Sequence, residues 1–281
     1  MIDLTDNSLA ELFQNIHVDI SEYCFSNMFC FQHDHNFEYT TISELPFAFG
    51  ESTNLRYLMP LFKPSSSNIQ EIKNAMKAGY ALYPIDESWL AIFQADSDFV
   101  INSYEKDFDY VYLQEKLELL PGRKLSKKRN LIAQFNNSCQ EISVKTFSSD
   151  TQKDAITTLD EWANDATDNK DDTDHAACLL GINNFASLNL SGIVVYSQGR
   201  PIAFTLGELL RDNYILHFAK ANIHCKGAYQ FLFKETAAFV STAKWINFEQ
   251  DLGKPQLKKM KESYYPDKII KKYTISLTSN L

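Results

Sequence analysis

Between residues 152 and 277 the hydrophobic pattern changes period in a fixed order: helix, helix, three strands, helix, strand, helix, strand. Ile156, Leu159, Trp162 and Ala163 fall at helical spacing, and a second helix is predicted over 175–188. "SGIVVYSQGRPIAFTLGELL" reads as two strands around the turn Ser197–Gly199, and "NYILHFAKAN" as a third. After a loop holding Gly227, "YQFLFKETAAFVSTA" puts Tyr229, Leu232, Phe233, Thr236, Ala237 and Val240 on one helix face. "WINFE" is the next strand, 255–265 a helix, and "DKIIKKYTISL" the last strand. Short loops make the first strands antiparallel, whereas the helix before "WINFE" is long enough for a crossover to a parallel neighbour.

The first half repeats the style. "FEYTTIS", "LPFAFGE" and "LRYLMPLF" read as consecutive strands, and "SNIQEIKNAMKAG" as a helix with Ile69, Ile72 and Met76 on one side. Ser67 with Gln70 is placed to form its capping box. "YALYPI" and "FDYVYLQEKL" supply later strand segments. A chain of 281 residues accommodates two domains. The join is expected near 136–142, after the basic helix "KLSKKRNLIAQF", giving domains 1–139 and 140–281.

Charge is unevenly spread. The formal net charge is −9, yet 12 of the 27 Lys and Arg residues sit in three short stretches, 121–130, 254–261 and 268–272. The segment 160–174 opposes them with seven acids and one lysine. A general nucleic-acid binder would be basic overall, so a local basic cleft facing an anionic ligand fits better. The acidic segment reads as a solvated loop; without a central glycine and the required acid spacing it is no calcium-binding loop. No stretch approaches the ~18 apolar residues of a membrane span, and the N-terminus lacks the pattern of a signal peptide, which gives a cytoplasmic expectation. The five cysteines are scattered, and no pairing or histidine couplet at zinc spacing points to a disulfide framework or a metal site.

Four motifs coincide: "LPGRKLSKKRNLIAQF", "LSGIVVYSQGRPIAFTLGE", "HFAKANIHCKGAYQ" and "NFEQDLGKPQLKKMKESYYP". Together they resemble a bacterial family related to the C-terminal domain of phosphatidylglycerol lysyltransferases, from about residue 20 to the end. The element order likewise resembles the acetyltransferase-type (GNAT) fold. The resemblance implies an α/β (α+β) fold of two tandem GNAT-like domains, each a mixed, mostly antiparallel sheet flanked by helices. It implies transfer of an acyl or aminoacyl group from an acyl-CoA or aminoacyl-tRNA to an amine or hydroxyl, with no tightly bound cofactor. Lipid-modifying relatives carry a multi-spanning membrane region that has no counterpart in this sequence, so the acceptor is left open between lipid, peptide and small amine. Peripheral lipid contact and oligomeric state are open as well. A non-catalytic protein holding an anionic ligand or partner in an interdomain cleft is the alternative.

Such a transfer needs the donor's anionic groups held and the attacking amine deprotonated. In GNAT domains the loop between the fourth strand and the next helix cradles a pyrophosphate on helix N–H groups. That loop is "NIHCKGAYQ" here; the usual Arg/Gln and small residue are replaced by His224 and Tyr229, while Gly227 is kept and Lys226 could meet a phosphate. By strand alternation Glu208 ends the apolar face of Ile202, Phe204 and Leu206, opposite the small face of Ala203, Thr205 and Gly207. Lys220 shares parity with Leu216 and Phe218, with His217 on the other side, and is placed to pair with Glu249. Trp245, Asn247 and Glu249 share a face, with Asp251 opening the turn beyond. The expected catalytic residues are therefore Glu249 or Glu208 as base, Asp251 for positioning, Tyr264 or Tyr265 as proton donor, and Asn247 on the acceptor side. Lys220, Lys226, Gly227, Tyr229, Lys258, Lys261, Lys124, Lys128 and Arg129 are the expected donor-binding set.

Overall fold

The computed structural model describes residues 2, 4, 7–52, 55–165 and 173–280; residues 166–172 of the acidic stretch singled out above lie outside them. Two compact units interleave along the chain: Met1–Asp109, Gln250–Lys258 and Ile269–Leu281 form the first, and Tyr110–Glu249 with Lys259–Lys268 the second.

The first unit starts with two helices, α1 (Asn7–Gln14) and α2 (Phe25–Cys30), followed by the antiparallel strands β1 (Glu38–Ile42), β2 (Leu45–Ser52) and β3 (Leu55–Pro60). Helix α3 (Ile69–Met76) buries Ile72, Ala75 and Met76 and crosses over to β4 (Ala81–Asp86), which runs parallel to β3. The expected capping box does not form: α3 begins at Ile69, Ser67 bonds the Ser65 hydroxyl at 2.9 Å, and Asn68 accepts from the Ser65 N–H at 2.8 Å. Helix α4 (Leu90–Gln94) and β5 (Phe99–Ser103) follow.

Next come β6 (Asp109–Leu113), α5 (Gln114–Leu119), α6 (Ser126–Ser138), β7 (Ser143–Thr146), α7 (Gln152–Asp165) and α8 (His175–Asn183). The antiparallel run β8 (Ile193–Ser197), β9 (Arg200–Leu210) and β10 (Asn213–Ala221) leads through α9 (Ala228–Phe239) to β11 (Trp245–Asn247), parallel to β10. Gln198 and Gly199 both take positive φ in the β8–β9 turn, the geometry that matches the twist of a tight hairpin. The chain ends with α10 (Pro255–Glu262), β12 (Lys268–Ile270) and β13 (Lys272–Leu277).

The two sheets repeat one design and exchange a strand. Their orders are β1-β2-β3-β4-β13-β5 and β12-β6-β11-β10-β9-β8-β7. In each, antiparallel strands lead through one helix to a parallel neighbour. Beside that neighbour lies an antiparallel strand from the other half of the chain: β13 next to β4, and β6 next to β11. The sequence reading gave the last strand to the second sheet; its ladder partners are β4 and β5. Likewise, residues 110–139 group with the second unit, whereas the sequence reading put them with the first, because Val111, Tyr112 and Leu113 pair with Asn247, Ile246 and Trp245. Alternation shows which face of a strand is buried and says nothing about its neighbour.

Lys272 opens β13 and is fully buried. Its ammonium lies 2.6 Å from each of Glu22 Oε2, Asp109 Oδ1 and Gln250 Oε1. Asp109 also accepts from the Ser21 N–H and hydroxyl, at 2.9 and 3.0 Å, so the clasp joins four separate stretches of the first unit.

In the second unit α9 lies on the small face of β9, as the alternation predicts. Ala203 packs with Ala228 and Leu232, and the Thr205 and Thr236 hydroxyls meet at 2.9 Å. Phe233 and Ala237 join a second cluster with Tyr112, Tyr214, Phe248 and Tyr264. Among the described residues no helix is long and apolar enough to cross a membrane.

Candidate active site

The parallel ladder between β10 and β11 covers only Asn213–Ile215 against Trp245–Asn247. Past it, β10 continues to Ala221 with β9 alone, and its register slips between Ile215 and Phe218. Two residues, Leu216 and His217, there face the single Gly207 of β9, a β-bulge. Gly207 is needed at this point, because a Cβ would sit 2.2 Å from the Ile215 carbonyl oxygen.

His217 shares the parity of Ile215, which pairs with Glu208; its Nε2 lies 3.0 Å from Glu208 Oε1 and its Nδ1 2.8 Å from Glu249 Oε1. The imidazole is 1% exposed and each carboxylate 15%. The sequence reading found both acids and missed the residue that joins them. A neutral imidazole has one N–H, so it can donate to only one of two carboxylates. Filling both contacts with hydrogen takes one proton beyond that of the neutral ring.

Glu249 is held by its backbone. It has φ +57°, the left-handed region that costs a non-glycine residue about 1–2 kcal/mol. Three contacts maintain it. Asn247 Oδ1 accepts its N–H at 2.7 Å, and its carbonyl accepts from Tyr110 N at 3.3 Å and Lys261 Nζ at 3.0 Å. Lys261 also donates to the Phe248 carbonyl at 2.6 Å and is buried. The lysine expected on the donor thus fastens the base, and the asparagine expected on the acceptor fixes the turn into it.

Lys220 is buried as well, but its partner is Asp174 at the start of α8, at 2.6 and 2.8 Å, with the Trp162 ring 3.8 Å away, and not Glu249. Burial alone would lower its pKa; the Asp174 charge reverses that and raises it. Tyr229 stands beside the same group, its phenol pushed up by burial. Tyr264 is sealed among Tyr112, Phe233 and Phe248, and burial likewise pushes its phenol up, so it holds its proton tightly. Asp251, in the first unit, is buried and accepts from the Gly253 N–H at 2.7 Å; Lys258, in the same unit, pairs with Glu105 at 3.0 Å.

The basic cluster of α6 meets residues 263–265 within the second unit. Lys128 donates to the Ser263 hydroxyl at 2.6 Å and sits 3.9 Å over the Tyr264 ring. Burial lowers it to about 8. Lys124 lies 5.2 Å over Tyr265, and Arg129 donates to the Leu120 and Gly122 carbonyls at the helix start.

The loop expected to cradle pyrophosphate spends three of its donors internally. The N–H of Cys225 bonds the Asn222 carbonyl, that of Ala228 the Cys225 carbonyl, and that of His224 the Asn222 side chain, at 3.2, 2.9 and 2.9 Å. Gly227 abuts α6 so closely that a Cβ would lie 2.1 Å from the Leu131 carbonyl oxygen. His224 faces Asp165 at 3.3 Å, and Lys226 is exposed.

Comparison with known proteins agrees with this architecture. The family model described as phosphatidylglycerol lysyltransferase, C-terminal, matches residues 13–276. A conserved protein of unknown function from Bacteroides thetaiotaomicron VPI-5482 superposes with a TM-score of 0.86 at 24% identity, covering 99% of this chain and 98% of its own. L-PGS from Bacillus licheniformis gives 0.64 at 14% identity over 97% and 92% of the two chains. FemX gives 0.59 at 8% identity over 98% and 96%. At these identities the structures share the fold alone. No curated protein matches the chain.

Proposed function

The chain belongs to the phosphatidylglycerol lysyltransferase C-terminal family, and from that premise we propose that it transfers an aminoacyl group from a charged tRNA to an amine or hydroxyl acceptor. Acyltransferase-type function in general accords with the family. The observation that carries the finer reading is the Glu208–His217–Glu249 relay, a proton acceptor assembled at the end of a short parallel ladder. Glu249 takes the proton of the attacking amine or hydroxyl, and His217 and Glu208 spread the resulting charge change. The acceptor then attacks the aminoacyl ester carbonyl: a C–N or C–O bond forms, the ester C–O bond to the ribose breaks, and the proton taken up is returned to the leaving oxygen. General base action of this kind contributes about 10²–10⁴ in rate.

Two features favour a tRNA over a CoA ester. The loop before α9 has committed N–H groups of His224, Cys225 and Ala228 and carries Asp165 beside it, a poor cradle for pyrophosphate. Lys128 keeps a positive charge buried against a hydroxyl and a ring, a placement suited to a phosphate arriving with the donor. A cytoplasmic location follows from such a donor.

The test is transfer from charged tRNAs and acyl-CoAs to amine, peptide and lipid acceptors, with Glu249→Gln beside the wild type. The proposal expects turnover from a charged tRNA, lost in Glu249→Gln while donor affinity stays within about threefold. Turnover from CoA esters alone would move the donor class. Wild-type binding of charged tRNA with no turnover on any acceptor would leave a non-catalytic binding protein.

A further inference from the structure

Three of the five cysteines, Cys24, Cys30 and Cys178, are buried; Cys139 and Cys225 are half-buried. Cys139 caps the C-terminus of α6, and Cys225 lies in the turn that starts α9. Both line one open cleft of about 370 Å³, together with Ser138, Arg200 and Asn222. The two side chains pack against the same buried cluster of Phe135, Ala203 and Ala228 and act on each other electrostatically. They stand at the end of a seam between α6 and the 222–227 loop that is closed at Gly227 against Leu131. Arg200 places a guanidinium in the same cleft, paired with Glu161 at 2.7 Å.

We propose that Cys139 and Cys225 form a redox-active dithiol, which a small anionic disulfide entering this cleft converts into an intramolecular disulfide that pins the 222–227 loop to the end of α6. The Cys139 thiolate attacks one sulfur of the reagent R–S–S–R; the Cys139–S–S–R bond forms and one RS⁻ leaves, to be protonated. Cys225 then loses its proton to solvent and attacks the Cys139 sulfur, the S–S bond to R breaks, and a second RS⁻ leaves. The protein gives up two electrons and two protons and the reagent becomes two thiols.

The order of attack follows from the surroundings. Burial, with Cys139 adding to it, pushes the Cys225 thiol up to about 11, whereas Arg200 pulls it the other way. The other charged groups of the loop turn aside or outward: His224 faces Asp165, and Lys226 is exposed. Cys225 is therefore the resolving thiol, and the part of its elevation due to Cys139 vanishes once Cys139 is capped. The closing step gains about tenfold per pH unit while Cys225 remains protonated. Closure to an S–S length of about 2.05 Å draws the Cys225 segment toward α6.

The decisive measurement is intact mass and peptide mapping of the native protein after exposure to oxidised glutathione. A loss of about 2 Da, with Cys139 and Cys225 jointly protected from alkylation, supports the proposal. Both thiols unreacted, or a persistent glutathione adduct on the wild type, overturns it. Cys225→Ser is expected to trap the adduct on Cys139, and Cys139→Ser to slow the reaction at Cys225 at least tenfold; equal rates in the latter would overturn the order of attack. The buried cysteines report folding, since they alkylate only when the protein opens. No donor or acceptor enters this assay, so its failure leaves the transferase reading standing. A second readout rests on that reading, since α6 carries Lys128 and ends at Cys139: the oxidised protein should bind charged tRNA at least threefold more weakly, an effect reversed by reductant, and unchanged affinity would overturn a link between the pair and the donor site.

Discussion

Each unit buries a nitrogen base between two carboxylates, but the bases and their surroundings differ. In the first, the Lys272 ammonium touches Glu22 and Asp109, and its side chain is 0% exposed. In the second, the His217 ring touches Glu208 and Glu249, whose carboxylates retain an edge of solvent. An ammonium whose pKa is raised by two carboxylates stays charged at any physiological pH, so it can fasten segments together but cannot pass a proton on. An imidazole between two carboxylates holds a proton that either side can take. Similar electrostatics thus make a clasp in one place and a relay in the other.

The largest expected effect comes from removing the proton carrier. His217→Gln retains a polar side chain of similar reach but cannot hold the extra proton. Turnover with an established donor should fall about 10²–10³-fold with donor affinity nearly unchanged. Chemical denaturation run in parallel separates the roles. A variant that loses stability and keeps its rate would show that the second triad is a clasp like the first.

How much of this was legible in the sequence follows the same contrast. Element order was readable because helical and strand periods differ. The faces of β9 and α9 were readable too, because Ala203, Thr205 and Gly207 alternate with large residues. Glu208 was picked out because it ends an apolar strand face, and Glu249 because it follows Trp245 and Asn247 on one face at a strand end. Nothing in the sequence marks the bulge at Leu216–His217, since a one-residue slip leaves composition unchanged and reverses parity. Nor does any local pattern reveal that β13 and β6 change sheets, or that Lys261 would be drawn inward to two carbonyls; its position in a lysine stripe pointed to solvent and to ligand. Those are consequences of tertiary pairing. Lys272 was visible only as one of three cations in 268–272, and its clasp depends on residues some 160 to 250 positions away.

Breaking the clasp should cost stability and leave the chemistry alone. Lys272→Met leaves Glu22 and Asp109 facing each other in a dry interior, a loss of about 3–5 kcal/mol in denaturant unfolding. Adding Glu22→Gln and Asp109→Asn should recover part of it, because the uncompensated charges are gone. Recovery confined to the triple variant would identify charge burial as the cause; equal instability would point to lost packing around the lysine stem.

The clasp also sets a pH dependence. Burial is the largest influence on Glu22 and outweighs the Lys272 charge, with Asp109 adding to it, so its pKa rises to about 7 from the usual 4.5. The folded state therefore binds a proton that the unfolded chain releases between those values. The stability this contributes is full below pH 4.5, declines as the pH climbs to about 7, and is flat above. The loss is at most about 3 kcal/mol, and smaller if the denatured chain is compact. Glu22→Gln should flatten this slope and leave the protein more stable than wild type at pH 8, measured by urea midpoints across pH 4.5–8. A slope that survives in Glu22→Gln belongs to another group.

The smallest effect bears on why the second unit keeps Lys128. Its pKa is lowered to about 8, so the folded state disfavours its charge and gains stability as pH rises from 8 toward the usual 10.5. Unlike Lys272 and Lys220, it has a hydroxyl and an aromatic face against it where they have carboxylates. A lysine that is unfavourable to folding and retained for an arriving anion makes opposite predictions for two measurements on one variant. Lys128→Met should raise the urea midpoint slightly at pH 7 and weaken binding of charged tRNA about tenfold, with a shallower salt dependence of the affinity. If affinity and salt slope stay at wild-type values, the lysine's role is its packing on Tyr264 and the donor's phosphates are held elsewhere. A lower urea midpoint would say the same, because the ammonium over the ring would then be worth more than its desolvation.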